Sequence, residues 1–361
     1  MEDRYPQDGL HAPIMEVARH RIGIDGKGIT TLVAFQGCGL RCRYCLNPEC
    51  FQPESDFKQY TPKELYEELE ADDVYFRATG GGVTFGGGEP CLRSKFIAEF
   101  KGICDPAWKI CVESSLNVDP WHIDELAPIV DEWLVDLKAG NPDAYKGYTG
   151  ADKDLAVENL KKLPRNRVTL RIPTIPGYVD EAAAHETRLK YRVLGYEVET
   201  LEYTTDPMSK KPPREDVIYG KAVCHALTKV RKELSETYGI PLLERPCTDK
   251  GACPGTCPIC EYESALLRQE LGRKGVSNYS VSPELRKDID SGYDVSAAAL
   301  RRRELRAKLL DPDLVIHLNT GNESYSDCNA IHIPKSPGLV GYRIEDYDRE
   351  KDIDDYGDSD D

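Results

Sequence analysis

The chain has 361 residues, of which 40% are hydrophobic, and a formal net charge of −16 at pH 7. This length exceeds that of a typical single domain and indicates one large unit with appendages. So acidic a chain lacks the clustered Lys and Arg that binding to nucleic-acid phosphates requires. No apolar run is long enough to span a membrane, and the first residues lack the apolar core of a signal peptide. We therefore expect a cytoplasmic protein that binds neither nucleic acid nor membrane.

The predicted elements begin with short β-rich runs that alternate with amphipathic helical patterns between about residues 30 and 240. Thr61, Pro62 and Glu64 predict the start of the first helix, with an N-cap, a proline in the first turn and a capping box. Such alternation predicts an α/β fold with a parallel sheet. Six units fit an open doubly wound sheet or a partial (β/α)6 barrel, and both bind ligands at the C-terminal strand ends. The predicted strands are TTLVAFQ, GVTF, WKICVE, EWLVDLK, RVTLRIP and YEVETLEY.

The remainder of the chain differs in composition from the alternating part. Helices are predicted over 215–239, 261–275 and 296–310, with a segment rich in Pro, Gly and Cys between the first two. The last 17 residues carry ten acidic and two basic side chains, which is typical of a solvated, mobile tail. We therefore divide the chain into an N-terminal arm (1–20), an α/β barrel (21–245), a four-cysteine metal-binding module (246–275) and a charged helix with an acidic tail (276–361).

Thirteen cysteines are unusual for a chain in a reducing compartment, where clustered thiols are more often metal ligands than disulfides. Cys38, Cys42 and Cys45 follow the first predicted strand in a C-x3-C-x2-C spacing, on the face where a ligand is expected. Three thiols fit a zinc site that a residue such as Cys50 completes, or an iron–sulfur cluster with one open iron. The scattered cysteines are expected to be small buried residues, namely Cys50, Cys91, Cys104, Cys111, Cys224 and Cys328.

The residues around this loop resemble those of the radical SAM enzymes, in detail the activating-enzyme branch typified by pyruvate formate-lyase activating enzyme. The similar segments occur in the family's order between about residues 21 and 203: IDGKGITTLVAFQGCGLRCRYCLNPEC, GGGVTFGGGEP, DEWLVDLKAGNPDAYKGYTG and VTLRIPTIPGYVDE. The resemblance implies a partial barrel that uses a [4Fe–4S] cluster and S-adenosylmethionine (SAM). In that family the reduced cluster cleaves the sulfonium C–S bond, and the resulting 5′-deoxyadenosyl radical abstracts hydrogen from a substrate.

The resemblance also implies roles for individual residues. The thiols of the C-x3-C-x2-C motif (Cys38, Cys42 and Cys45) would hold the cluster, and the methionine end of SAM would chelate the fourth iron. Tyr44 would stand beside the adenine. The SAM amino group would be received by Gly87, Gly88 and Glu89. Further candidate SAM contacts are Glu113, Ser114, Asp136, Lys138 and Arg171. Two of these, Asp136 and Lys138, lie two apart on one strand face, where a structural ion pair would also satisfy them.

The sequence departs from the family pattern in two places. The family's D-G-P-G turn is DGKG here, at residues 25–28. The family's late P-Y-H motif, whose histidine helps to hold SAM, is EYT here, with Thr204 in the place of the histidine. We therefore expect the SAM contacts at this strand to differ from those of the family, and we assign no catalytic histidine.

A second group of cysteines follows the barrel in the segment CTDKGACPGTCPIC. Its spacing of C-x5-C-x3-C-x2-C places four thiols, Cys247, Cys253, Cys257 and Cys260, in a loop before a helix. Four thiols so close together predict a metal site, either a zinc knuckle or a second [4Fe–4S] cluster. The sequence favours the cluster, because the chain already requires cluster loading.

Three functions are compatible with these features. The first is an anaerobic oxidoreductase that activates a glycyl-radical enzyme by abstracting a glycine hydrogen, with electrons from a donor such as flavodoxin or ferredoxin. The second is a peptide-modifying radical SAM maturase with a C-terminal auxiliary cluster, since extra clusters in that position are commoner among enzymes that modify peptides. The third is a non-catalytic zinc-binding scaffold, which the ordered match of four segments disfavours. The first two share a protein or peptide substrate.

Overall fold

The computed structural model describes residues 11–52, 56–202, 217–242 and 257–292, and two short strands at 330–331 and 342–343. These residues form two compact units that divide near residue 210, with residues 276–280 counted in the first. The predicted helix at 296–310 and the acidic tail lie outside the described residues. In the described ranges, every helix is too short or too polar to cross a bilayer.

Eight strands form one sheet in the first unit: β1 (Ala12–Ile22), β2 (Ile29–Phe35), β3 (Lys58–Tyr60), β4 (Gly82–Gly87), β5 (Lys109–Ser114), β6 (Glu132–Asp136), β7 (Val168–Thr174) and β8 (Glu197–Glu202). Their order across the sheet is β3-β1-β2-β4-β5-β6-β7-β8. β1 pairs antiparallel with β2 and β3, whereas β2 and β4 to β8 are parallel. The six strands predicted from the sequence are these parallel ones, so the predicted parallel sheet is confirmed.

The order of the strands decides between the two predicted architectures. The six parallel strands follow one another across the sheet in chain order, without the reversal that defines a doubly wound sheet. Parallel crossovers are right-handed, so a constant direction of winding places all the connecting helices on one face. The sheet then curves with its helices outside, as a partial barrel. Among the described strands β3 and β8 are its two edges, and these two strands do not pair with each other.

The connections of the first unit contain helices α1 (Pro62–Leu69), α2 (Asp73–Thr79), α3 (Ser94–Ile103), α4 (Pro120–Leu126), α5 (Pro142–Thr149), α6 (Asp154–Lys162) and α7 (Glu181–Val193). Short 3-10 turns lie at Pro48–Phe51, Glu70–Asp72, Pro90–Arg93 and Arg165–Arg167. The predicted capping box is present, since the Thr61 hydroxyl accepts from Glu64 N at 3.2 Å and Thr61 N donates to the Glu64 carboxylate at 2.8 Å. The first predicted helix begins as expected and is α1, and α2 follows it after the 3-10 turn at Glu70–Asp72.

Alternate residues of the parallel strands face opposite sides of the sheet. Val83 and Phe85 of β4, Val112 of β5 and Trp133 of β6 are buried in the core beneath the helices. Burial of each such side chain contributes roughly 1.5–3 kcal/mol. The intervening residues face the inside of the barrel, and many of them are polar: Thr84, Cys111, Glu113, Asp136 and Arg171. The inner face of the sheet is therefore polar, whereas its outer face packs in the apolar core.

The turn between β1 and β2 approaches the inner face at the N-terminal ends of the parallel strands. Thr84 donates to the carbonyl of Asp25 at 2.5 Å, and Gly28, at φ 72°, has no room for a side chain because a Cβ there would lie 2.6 Å from Gly81 N. β2 leads from this turn to the three-cysteine segment. Seven strand residues span about 20 Å, so the turn and the cysteines lie at opposite ends of β2.

β1 begins at Ala12, inside the segment (1–20) that the sequence analysis assigned to an N-terminal arm, and it is a strand of the sheet. Its apolar alternation is interrupted by Arg19, His20 and Arg21, which explains why the strand was not predicted. Asp72 offsets part of this charge: it accepts from Arg19 Nη2 at 2.6 Å and lies 2.9 Å from His20 Nε2. A charged strand is therefore stabilised by a buried carboxylate 52 residues away from His20.

The second unit contains α8 (Val217–Tyr238), α9 (Pro258–Arg273) and α10 (Pro283–Ser291), and a short antiparallel pair, β9 (Ala330–Ile331) and β10 (Tyr342–Arg343). α8 and α9 are the two helices predicted there from the sequence. Leu227 and Leu267 are fully buried, and Arg231 Nε donates to the Glu263 carboxylate at 2.8 Å. Both members of this ion pair are buried, so the two helices share an internal salt bridge.

Candidate active site

The segment after β2, residues 36–47, is called here the three-cysteine loop. It leaves the sheet at the C-terminal ends of the parallel strands, as the sequence predicted. Arg41 N and Arg43 N donate to carbonyls in the last turn of α5 at 2.8 and 3.1 Å. On the opposite side, Glu89 N donates to Gly37 O at 2.8 Å. The loop is thus fastened by its backbone to two other strand-end segments.

The three thiols of this loop influence one another electrostatically. Burial and the nearby Glu89 carboxylate raise the pKa of Cys38 to about 12, and burial raises that of Cys42. A hydrogen bond from the buried Cys50 thiol lowers the pKa of Cys45 to about 6. Cys50 therefore lies beside Cys45 of the motif. The sequence analysis had named Cys50 as a residue that could complete a zinc site there.

Thiolates are the ligands that iron–sulfur clusters require, and this loop presents three of them at one strand end. In the described part of the chain, no group of three or more His, Cys, Asp or Glu side chains is arranged to hold a single metal ion. A cubane cluster requires a different arrangement of ligands from a single ion. Each thiolate binds its own iron, so the cysteine sulfurs lie further apart than they do around one ion. The donor type and loop placement fit such a cluster.

The glycine-rich loop, residues 86–90, packs directly against the three-cysteine loop. Gly87 has φ 92°, and a Cβ there would lie 2.7 Å from Ala34 Cα. A Cβ on Gly88 would overlap the carbonyl of Gly37. Asn47, which was not predicted as a site residue, donates from Nδ2 to Gly87 O at 3.0 Å. Gly87 is thus needed for the contact with β2, and Gly88 for the contact with the three-cysteine loop.

Glu89 is buried and its carboxylate accepts four hydrogen bonds. Oε1 accepts from the Ser114 hydroxyl at 2.6 Å and from Cys91 N at 3.2 Å. Oε2 accepts from the Ser115 hydroxyl at 2.7 Å and from Ser115 N at 3.1 Å. Four bonds occupy the lone pairs of a carboxylate, so Glu89 is held rigidly between two strand ends. Ser115 was missed from the sequence, where only its position next to Ser114 hinted at this role.

Asp136 and Lys138 form the ion pair that their spacing allowed. Lys138 Nζ lies 2.6 Å from Asp136 Oδ2, and both side chains are 18% exposed. Burial favours the neutral lysine, but the charge of Asp136 outweighs it and raises the pKa of Lys138. A half-buried ammonium with only one carboxylate bonded to it can still donate to a further acceptor.

Arg171 connects the inner face with the β1–β2 turn. Its Nη1 donates to Glu113 at 2.7 Å, and its Nη2 donates to the carbonyl of Ile24 at 2.7 Å. Glu199 of the edge strand lies 3.7 Å from Arg171 Nε. Burial raises the pKa of Glu113, although Arg171 opposes this. Arg171, which the family resemblance names as a candidate SAM contact, thus lies on the inner face of the barrel.

Tyr44 packs in a group of tyrosines at the rim of the site. Its ring centroid lies 6.2 Å from that of Tyr148 and 6.3 Å from that of Tyr178. Tyr148 and Tyr178 are in edge contact, with centroids 5.4 Å apart. Tyr178 belongs to the IPGY segment, for which the sequence suggested no role. These rings cover one side of the three-cysteine loop with apolar surface.

The site residues that the sequence predicted in the barrel lie in two places, at the C-terminal ends of the parallel strands and on the inner face of the sheet. The predicted C-terminal site is described only in part. Cys257 is the N-cap residue of α9 and Cys260 lies in its first turn, with their sulfurs 3.6 Å apart. Cys247, Cys253 and Thr204 lie outside the described residues.

Comparison of the sequence with known proteins identifies its family. Residues 32–188 match the model of the radical SAM superfamily. A pyruvate formate-lyase-activating enzyme from Clostridium pasteurianum is 31% identical over 230 residues, covering 61% of this chain and 94% of that protein. A (2S)-3-sulfopropanediol dehydratase activating enzyme from Klebsiella oxytoca is 28% identical over 244 residues, covering 49% of this chain and 77% of that protein.

Among solved structures, a radical SAM methyltransferase from Sphaerobacter thermophilus aligns with a TM-score of 0.36 and 16% identity, over 75% of this chain and 76% of that one. So loose a superposition adds nothing to the assignment, which rests on the sequence relatives. The match to the superfamily model, residues 32–188, includes the three-cysteine and glycine-rich loops. The chain belongs to the radical SAM superfamily, in the branch of the glycyl-radical-enzyme activating enzymes.

Proposed function

We propose that this protein activates a glycyl-radical enzyme by abstracting hydrogen from a glycine of that partner. The observation that carries the proposal is the contact between the three-cysteine loop and the glycine-rich loop at the C-terminal strand ends, in a chain whose relatives are activating enzymes. Both relatives named above are called activating enzymes of another enzyme, which supports a protein as the substrate. The identity of that protein is the open part of the proposal.

Cys38, Cys42 and Cys45 are the proposed ligands of a [4Fe–4S] cluster, with SAM at the fourth iron. When bound, the cluster and SAM supply one-electron cleavage of a C–S bond and the abstraction of hydrogen. A low-potential carrier such as flavodoxin or ferredoxin is the proposed electron donor. The contribution of the protein is to orient these groups and to keep water and stray thiols away from them.

Orientation of SAM is assigned to charged groups around the loop. Lys138 retains donor capacity beyond its bond to Asp136 and suits the SAM carboxylate. Glu113 and Ser114 stand at the end of β5, next to the rigidly held Glu89. Because Glu89 already accepts four hydrogen bonds, it would meet the SAM ammonium only as a shared acceptor, and the carbonyls of Gly87 and Gly88 are the more available partners.

Exclusion of water is assigned to the tyrosines. Tyr44 lies between two thiol ligands, and Tyr148 and Tyr178 hold its ring from the far side. Aromatic rings cover a large apolar area with few rotatable bonds, so the cover is stiff. A stiff apolar wall beside the thiolates protects a reactive centre from quenching.

The test is anaerobic and uses the full chain. We expect iron after reconstitution, 5′-deoxyadenosine after addition of dithionite and SAM, and a glycyl radical detectable by electron paramagnetic resonance when a glycyl-radical enzyme is added. Cys42→Ala should abolish all three signals. Cys104→Ala, which removes a buried thiol bonded only to the carbonyl of Lys101 at 3.7 Å, should leave them intact. SAM cleavage with no radical on any such enzyme would overturn the activating function while leaving the family assignment in place.

A second candidate is a peptide-modifying radical SAM maturase. The thiol pair Cys257 and Cys260 in the second unit favours it, because auxiliary metal sites after the barrel suit an enzyme that anchors or oxidises a peptide. The two candidates differ in substrate. A short peptide whose mass changes by a new cross-link or by loss of hydrogen would support the maturase, whereas a stable radical on a large partner supports the activating enzyme.

A further inference from the structure

The segment that follows β5 contains a residue with an unusual backbone conformation. Leu116 has φ 57°, in the left-handed region that residues other than glycine seldom adopt. Its side chain is fully buried in the apolar core. A conformation of this kind is costly and persists only where the surrounding contacts enforce it.

Three hydrogen bonds hold Leu116 in this conformation. Asn159 of α6, which is fully buried, donates from Nδ2 to the carbonyls of Leu116 at 3.0 Å and Val118 at 2.8 Å. Leu116 N donates to the Ser114 hydroxyl at 2.8 Å. A carbonyl can only accept, so the Asn159 amide must present its N–H groups to this segment. One side chain of a helix thus bonds to the backbone on both sides of Asn117.

The turn at Leu116 decides where two serine side chains point. Consecutive residues of an extended strand face opposite sides of the sheet. Ser114 is the last residue of β5, yet its hydroxyl and that of Ser115 both donate to the Glu89 carboxylate, at 2.6 and 2.7 Å. The Ser115 hydroxyl also accepts from Asn117 N at 3.3 Å. Each serine therefore bonds to the turn on one side and to Glu89 on the other.

We propose that Asn159 is a positioning residue for SAM, which acts by holding Leu116 in the left-handed conformation. The turn then places both serine hydroxyls against Glu89. This inference rests on the proposed function, in which Glu89 and the glycine-rich loop receive the amino group of SAM. Asn159 acts at a distance from SAM, because its amide bonds to the backbone of the turn.

Loss of the Asn159 amide should lower the fraction of chains whose turn has this conformation. The apparent affinity for SAM falls in proportion to that fraction. Because two hydrogen bonds are removed, Asn159→Ala should bind SAM about tenfold more weakly. Its iron content should equal that of the wild type, since the backbone bond from Glu89 N to Gly37 O fastens the three-cysteine loop independently of the serines.

The experiment measures the affinity of the reconstituted full chain for SAM by anaerobic titration calorimetry. Iron content and the midpoint of urea denaturation are measured on the same preparations. Binding of SAM needs no glycyl-radical partner, so a chain that activates no such partner can still be tested in this way.

Thr79→Ala is the matched control. Thr79 is also fully buried, and its hydroxyl also bonds to two backbone groups, accepting from Ile29 N at 2.9 Å and donating to Tyr75 O at 2.7 Å. Ile29 is the first residue of β2, so these bonds lie at the end of the sheet opposite to the site. Thr79→Ala should lower the stability of the chain and leave its affinity for SAM unchanged.

Two variants of Leu116 separate backbone conformation from packing. Leu116→Gly removes the whole buried side chain, but glycine adopts the left-handed conformation without steric cost. Leu116→Val keeps most of the apolar area, but a β-branched residue is strained there. Leu116→Gly should therefore be the less stable variant and yet bind SAM more tightly than Leu116→Val. In the Leu116→Gly background, Asn159→Ala should cost less affinity than in the wild type, because glycine needs less support.

Two results would overturn the inference. One is an Asn159→Ala chain that binds SAM as tightly as Thr79→Ala does. The other is a Leu116→Val chain that binds SAM at least as tightly as Leu116→Gly, and this comparison decides the matter even if Asn159→Ala fails to fold. Either result leaves the proposed function in place, whereas a wild-type chain without affinity for SAM would refute that function as well.

Discussion

Arg171 donates to Glu113 at 2.7 Å from one nitrogen and to the carbonyl of Ile24 at 2.7 Å from another. This one side chain therefore ties the inner face of the barrel to the turn between β1 and β2. Arg171 is buried, whereas Glu113 retains some contact with solvent. The arginine thus has a structural part to play at a position where the sequence indicated only a ligand contact.

Arg171→Gln should lower the free energy of unfolding by about 3 kcal/mol, because it leaves Glu113 without its cation. The value stands at the low end of the range for a broken buried pair, since Glu113 is partly solvated. Urea denaturation followed by circular dichroism measures it. Lys161→Gln, which breaks an exposed pair with Glu158, should cost less than about 1 kcal/mol. Equal losses in the two variants would contradict the structural role of Arg171.

Asp72 should make the stability of the barrel depend on pH. Burial alone would raise the pKa of Asp72, but His20 and Arg19 hold it well below its usual range. A depressed carboxyl pKa contributes stability above the ordinary value of about 3.9, and this stability is lost as the pH falls towards the native value. Asp72→Asn should therefore destabilise the protein by about 3–5 kcal/mol at pH 7.

The difference between the wild type and Asp72→Asn should shrink below about pH 4, where the carboxylate of the unfolded chain is already protonated. Thermal unfolding at a series of pH values tests this. Asp124→Asn serves as the control, because Asp124 forms an exposed pair with Lys162 and its removal should shift the melting temperature little at any pH. A pH-independent difference for Asp72→Asn would refute the electrostatic explanation.

Ser115→Ala should impair SAM binding more than it impairs folding. The variant removes the 2.7 Å hydrogen bond to Glu89, and a bond to a charged group contributes about 1.5–3 kcal/mol. We expect the KM for SAM to rise about tenfold or more, with a smaller change in kcat for SAM cleavage. Ser94→Ala removes a partly buried bond to another carboxylate, that of Glu125 of α4. It should lower stability and leave the KM unchanged.

Gly88→Ala should prevent the three-cysteine loop from packing against the glycine-rich loop. A Cβ at Gly88 would overlap the carbonyl of Gly37, which is backbone and has no rotamer to escape into. We expect reconstitution to give much less iron per chain than in the wild type, measured by chemical iron assay. Gly102→Ala has open space around the new methyl group, near the end of α3. It should load iron normally and gain up to about 1 kcal/mol of helix stability. If Gly88→Ala bound as much iron as the wild type, close contact between the two loops would not be needed for iron binding.

Local signals predicted most of the barrel. The apolar residues of the parallel strands that pack in the core made these strands clear in the sequence, and the Thr61 and Glu64 capping box is readable from four residues of sequence. β1 was missed because Arg19 and His20 interrupt its apolar pattern, and their partner Asp72 is one that no local pattern identifies. β3 has only three residues, and exposed Lys58 and Gln59 make two of them.

The motifs of the candidate site were predicted from the sequence, but the residues that hold those motifs in place were not. Cys38, Cys42, Cys45 and Glu89 were identified from spacing and family resemblance. Their supports depend on contacts across the sheet: Ser115 lies 26 residues from Glu89, and Asn47 lies 40 residues from Gly87. Single side chains of common types at such separations leave no signal in one sequence. The same reason hid the salt bridge between Arg231 of α8 and Glu263 of α9.

The open edge of the barrel has a consequence for the shape of the substrate. A closed eight-stranded barrel fills its own interior with side chains. In this sheet the last strand has no further neighbour among the described strands, and Glu197 and Glu199 remain exposed along it. For the protein substrate proposed above, an edge of this kind would let a segment enter from the side, with both of its ends still attached to a folded body. A gap of this kind admits a loop, whereas a closed ring would admit only a free end or a small molecule.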